Sequence, residues 1–190
     1  MWWADKHYSE IGDPDYIGFV HYRRFFSFTC KSPIVNISAS VFNPAFCAKS
    51  AELLFMMLKD SLDCLTFCPL PVTSDSEHKF VDVLEQLKFL SKDGMNIPDE
   101  VCDKSFELFL QNCKDESFKK FLKQAMSIRN SYVCNIFVLK KELFHEFCSI
   151  AFPVFVELKS MLSDNDLKNI HPRFMGYILE RFTSTYLHAI

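Results

Sequence analysis

Only four glycines stand in this 190-residue chain, against twenty-one phenylalanines, and that imbalance points to a helix-rich interior packed with aromatic rings. No basic excess is present. The formal net charge is −3, whereas a duplex-binding protein shows a basic surplus or stripe, so nucleic acid is not an expected partner. No stretch long enough to cross a bilayer is free of charges, and acidic Asp5 follows the opening tryptophans where a secretory leader carries basic residues. A cytoplasmic protein without a transmembrane segment is expected. No CxxC pair occurs among the eight cysteines. Cys47, Cys102, Cys113, Cys134 and Cys148 lie in or beside apolar segments, and Cys64, Cys68 and His78 lack a second cysteine pair, which favours free buried thiols over zinc or disulfides. With 49% hydrophobic residues, disorder is excluded and one sizeable core is within reach.

What is present begins with His21-Tyr22-Arg23-Arg24, directly after the apolar run Tyr16-Ile17-Gly18-Phe19-Val20. So short a run reads as a strand buried on both faces of a parallel sheet, where ligands gather at the carboxyl ends of strands. Arginine offers a rigid, permanently charged fork for phosphate or carboxylate oxygens, and histidine can carry a proton near neutral pH. The expected guest is anionic. Surface ion pairing of Arg23 and Arg24 is the plainer alternative.

Alternation of elements favours an α/β fold in which helices outweigh strands, with a helical bundle as the rival. Helices are expected at Trp2 to Glu10, about Ala45 to Leu62, Lys79 to Lys92, Pro98 to Asn112, Glu116 to Ile128, Lys141 to Leu162 and Arg173 to His188. Pro153 should kink or break the sixth of these. Strands are expected at Tyr16 to Val20, Cys64 to Cys68 and Tyr132 to Leu139, with a loop from Phe25 to Asn43 and a mobile polar stretch from Pro71 to Glu77. Phe19, Phe137, Phe144, Phe147, Phe155, Leu158, Ile178 and Leu179 should be buried together.

Two Asp-x-Asp triplets, Asp13-Pro14-Asp15 and Asp164-Asn165-Asp166, have the letters of a divalent-metal site. The first precedes its strand and is explained by turn chemistry; the second reads as a solvated connector after a helix. A divalent metal is therefore not favoured, since arginines can neutralise a diphosphate on their own. Asn135 stands in an otherwise apolar strand and needs hydrogen-bond partners from the protein or a ligand. On the last helix Arg173, Tyr177 and Glu180 share a face, Arg181 turns away by one residue, and Gly176 permits close backbone approach. An ion-pair network there weighs equally with a ligand-binding role.

Three boxes carry a likeness beyond composition. They are His21-Tyr22-Arg23-Arg24, the run Asn135-Ile136-Phe137-Val138-Leu139-Lys140-Lys141-Glu142-Leu143-Phe144 with Glu146-Phe147-Cys148 after it, and Arg173-Phe174-Met175-Gly176-Tyr177-Ile178-Leu179-Glu180-Arg181. In this order, and over Trp3 to Leu187, they resemble a bacterial family of domains of unknown function met in capsule and lipopolysaccharide gene clusters. The resemblance implies a single glycosyltransferase-like domain over 1–190, with a partial GT-A-like (Rossmann-like) sheet of few, mostly parallel strands. It implies a nucleotide-sugar donor, a glycan or lipid-linked acceptor, and a peripheral place at the inner membrane face. Arg23, Arg24, Asn135 and Arg173 would hold the donor, and Glu180, or alternatively His21, would act as catalytic base. In that family some tens of residues precede the tryptophan-containing helix, whereas this sequence opens at Met1-Trp2-Trp3-Ala4. The expected consequence is donor binding that is weak or absent, a partner chain supplying the missing half, or a non-catalytic remnant or interaction module of the same fold.

Overall fold

A computed structural model of the chain describes residues 1–19, 24–26, 34–36, 63–66, 70–71, 81–132 and 135–190. They cluster into two compact units: Trp3–Cys68 with Cys134–Phe144, and Pro69–Val133 with His145–Ile190.

The first unit opens with a one-turn helix α1 (Trp2–Lys6), a 3-10 turn at Tyr8–Ile11 and strand β1 (Tyr16–Phe19). Gly12 at φ 93 and Asp13 at φ 49 take the left-handed conformations that reverse the chain into β1. Tyr8 closes this turn by donating its hydroxyl to the Pro14 carbonyl at 2.9 Å. Two further strands, β2 (Arg24–Phe26) and β3 (Ile34–Asn36), pair antiparallel, Arg24 opposite Asn36. The loop expected from Phe25 onward is thus broken by strands. Next come β4 (Cys64–Thr66) and, later in the chain, β7 (Phe137–Lys140).

These form a three-stranded sheet in the order β1-β7-β4, antiparallel throughout. The mostly parallel sheet expected from the sequence is therefore overturned for the described residues, and so is the reading of β1 as buried on both faces: Gly18 is exposed and Ile17 buried. A short apolar run cannot distinguish a central parallel strand from an edge strand that alternates about a glycine. Phe19 stacks on Phe144 at 5.6 Å and lies 5.5 Å from Phe137, giving this unit an aromatic core of its own.

The second unit is helical, with β5 (Leu70–Pro71) paired antiparallel to β6 (Asn130–Ser131). Helix α2 (Val83–Leu90) starts at Asp82, whose carboxylate accepts from the Leu84 and Glu85 amides while Glu85 accepts from the Asp82 amide. A wider turn carries it to Met95, where Gly94 at φ 97 and Asn96 at φ 52 end it. Helix α3 (Asp99–Asn112) follows Pro98, and α4 (Glu116–Met126) is capped by Asp115.

Helix α5 (Lys141–Met161), the link between the units in sequence, continues through Pro153, so of the kink or break expected there the break does not occur. Asn112 donates to the Ile150 carbonyl at 3.0 Å, one turn before the proline. Helix α6 (Asp164–Asn169) was not expected; Ser163 and Asp166 form its capping box. Helix α7 (Phe174–Ala189) closes the chain.

Around α7, Phe182 stacks on Phe109 at 4.3 Å and meets Phe106 edge-on at 5.2 Å. The eight residues expected to be buried together fall in both units. Phe19, Phe137 and Phe144 belong to the first unit, and Phe147, Phe155, Leu158, Ile178 and Leu179 to the second. Phe19, Phe155 and Leu179 are only half-buried. The expected helix at 45–62 and most of the 71–77 stretch lie outside the described residues.

Candidate functional site

At one end of the three-stranded sheet, Phe137 at the start of β7 pairs with Phe19 at the end of β1 and Thr66 at the end of β4. Asn135 sits just before this junction. It is not a strand residue, as its apolar flanks suggested: its φ of 49 places it in a left-handed turn, a conformation asparagine tolerates because its short polar side chain can bond locally. The Thr66 hydroxyl donates to the next carbonyl, Ile136, at 3.2 Å. The Asn135 side-chain oxygen is buried and has no hydrogen-bond partner among the described residues. Buried acceptors are rarely left so, because desolvation without a partner costs about 1–3 kcal/mol.

His21 and Arg23 lie outside the described residues. Arg24 opens β2, where its backbone pairs with Asn36; its side chain is outside the description.

The other candidates stand on α7, in the second unit. Arg173 is exposed at its amino-terminal cap, with the guanidinium 5.8 Å from the centre of the Tyr177 ring, and the edge of the His171 ring meets Tyr177 at 6.2 Å. His171 is a loop residue, and its Nδ1 accepts from the Arg173 amide at 3.1 Å. Gly176 faces open space, so it supports no close backbone approach.

Glu180 is largely buried, and its Oε2 accepts from Arg181 Nη1 at 2.8 Å. Arg181, one position round the helix from that face, turns inward. Its side chain is 7% exposed, and Nε and Nη2 both donate to Gln86 Oε1 on α2, at 3.0 and 2.7 Å. Sequence reasoning missed Gln86 and the inward course of Arg181. A signal was available for the latter, since Arg181 falls on the stripe of Phe174, Ile178 and Phe182 that α7 buries.

The two Asp-x-Asp triplets serve structure. Lys141 forms an ion pair with Asp13 and donates its amide to the Asp15 carbonyl, and Asp166 caps α6. Among the described residues no three His, Cys, Asp or Glu side chains are grouped to hold a metal ion. Burial pushes the Cys64 thiol up to about 11 and the Cys102 thiol up to about 12, so both stay protonated and are poor nucleophiles or ligands. No described helix is long and apolar enough to cross a membrane.

The family described as "Domain of unknown function (DUF4422)" matches residues 1–189. The chain belongs to this family. No curated protein matches it. Among solved structures, the apo form of WbbM, a bifunctional glycosyltransferase, superimposes with a TM-score of 0.69 over 99% of this chain at 18% identity. This DUF4422 chain spans 32% of that structure's length. At such identity the match establishes a shared fold, one found in a glycosyltransferase.

Proposed function

We propose that this DUF4422 chain acts as one GT-A-like domain over residues 1–190, transferring a sugar from a nucleotide-sugar donor to a glycan or lipid-linked acceptor in the synthesis of surface polysaccharide. The observation that carries this reading is the superposition of nearly the whole chain on a glycosyltransferase. In this reading Arg23 and Arg24 neutralise the donor diphosphate, a task that arginine forks perform through charge-assisted hydrogen bonds. Arg173, exposed beside Tyr177, contributes a further cation, and Asn135 a polar contact. Glu180 or His21 accepts the acceptor's proton as the new glycosidic bond forms and the nucleoside diphosphate leaves.

A second reading is favoured by one contact. The Glu180 carboxylate is bound to a buried arginine, as in an ion-pair network, and such a network suits a non-catalytic module of the same fold equally well. Release of nucleoside diphosphate from UDP-, GDP- and CDP-sugars, with surface glycans as acceptors, separates the two. Turnover that falls in Glu180→Gln while the fold persists assigns the base to Glu180, and a fall confined to His21→Ala assigns it to His21. No turnover with any donor favours the non-catalytic module.

A further inference from the structure

We infer that the Asn135 side-chain oxygen is an acceptor reserved for an O–H or N–H donor of the nucleotide sugar, carried by its sugar, its ribose or its base; this rests on the nucleotide-sugar reading above. The atom is buried and unpartnered among the described residues, two positions before β7, whose start pairs with the ends of β1 and β4. The hydroxyl that β4 carries, on Thr66, is already committed to the Ile136 carbonyl. An acceptor asks for a donor. Diphosphate oxygens carry no proton to give at neutral pH, so the matching group on a nucleotide sugar is an O–H of the sugar or ribose or an N–H of the base. The assignment separates Asn135 in role from the arginines, whose forks suit the diphosphate.

The backbone at 135 permits a clean test. With φ at 49, glycine fits there without strain and deletes only the amide. Asn96→Gly serves as control, because Asn96 has nearly the same φ of 52 and its side chain donates to the Asn169 carbonyl.

Thermal melts without ligand are combined with calorimetric titration of UDP-glucose, GDP-mannose and CMP-sialic acid, and of UDP, GDP and CMP. Asn135→Gly is expected to melt no lower than the native chain, since an unpaired buried acceptor stabilises nothing, and to bind the preferred nucleotide sugar about tenfold more weakly, the loss of one hydrogen bond. Weakening confined to the sugar nucleotide assigns the donor group to the sugar; equal weakening of the free nucleotide assigns it to the nucleoside. Unchanged binding by Asn135→Gly overturns the inference and leaves the donor reading standing. A fall in melting temperature of more than about 4 °C beyond that of Asn96→Gly also overturns it, because the amide would then have an internal partner. If the native chain binds none of the probes, the donor reading fails and this inference with it.

Discussion

Arg181 and Gln86, ninety-five positions apart in sequence, are joined by two hydrogen bonds from one guanidinium to one amide oxygen. Almost all of the Arg181 side chain is buried, so its charge depends for solvation on Gln86, Glu180 and the Tyr177 carbonyl. Gln86→Ala leaves two guanidinium donors unpaired and is expected to destabilise the protein by about 2 kcal/mol, in the range for hydrogen bonds to charged groups. Urea denaturation measures this, and a loss under about 0.5 kcal/mol would mean that water replaces Gln86 at no cost.

Ser184 holds β6 against α7. Its hydroxyl oxygen accepts from the Ser131 hydroxyl at 3.1 Å and from the Tyr132 amide at 3.0 Å, and the serine is fully buried. Ser184→Ala strands both donors at a predicted cost of about 1–3 kcal/mol. Ser149→Ala, at an exposed helical serine bonded only to the Glu146 carbonyl of its own helix, should change stability by less than about 0.5 kcal/mol. Equal effects of the two, read from denaturation midpoints, would remove the Ser184 bridge.

Phe137 is completely buried, with the Phe19 ring beside it. Phe137→Ala is expected to cost about 3–5 kcal/mol, the transfer term plus the cavity left behind. Phe19→Ala, at a half-buried strand end, should cost less. A reversed order in chemical denaturation would place the first unit's core elsewhere.

His188 gives stability a pH dependence. Burial lowers its pKa from the ordinary 6.5, and Nε2 lies 2.9 Å from the Asn130 carbonyl, so the neutral ring donates from Nε2. Because the folded protein binds this proton less readily than the unfolded chain does, the contribution is complete above pH 6.5 and is lost as pH falls toward the lowered folded value. His188→Gln keeps a donor without the titration. The native-minus-variant stability difference should therefore shrink between about pH 7.5 and about pH 5, and a difference that stays constant would contradict the assignment.

Much of the helical framework was legible because its signals are local. The helices expected from Pro98 and Glu116 begin there, after Pro98 and Asp115, whereas the one expected from Lys79 starts only at the Asp82–Glu85 capping box. Strand direction was not legible: Tyr16 to Phe19 and Phe137 to Lys140 carry the same residue types whether paired parallel or antiparallel, and the register Tyr16 opposite Lys140 is decided by distant chain. Asn135 was recognised as chemically conspicuous but placed in a strand, since nothing in Val133-Cys134-Asn135-Ile136 announces a positive φ. The Gln86–Arg181 bridge was hidden for another reason. Helical spacing reveals which face a residue occupies but not which helix meets it, so an arginine on a buried stripe discloses its depth and conceals its partner.

The central claim is that this DUF4422 chain binds a nucleotide sugar through the arginines of the His21-Tyr22-Arg23-Arg24 box. Isothermal titration of UDP-, GDP- and CDP-sugars into the native chain and into Arg23→Ala and Arg24→Ala variants, with and without manganese, tests it most directly. The account predicts saturable binding of one donor that weakens about tenfold or more when either arginine is removed, as expected for loss of a charge-assisted contact of about 1.5–3 kcal/mol. Binding that is indifferent to both substitutions, or silence across the whole panel, would contradict it.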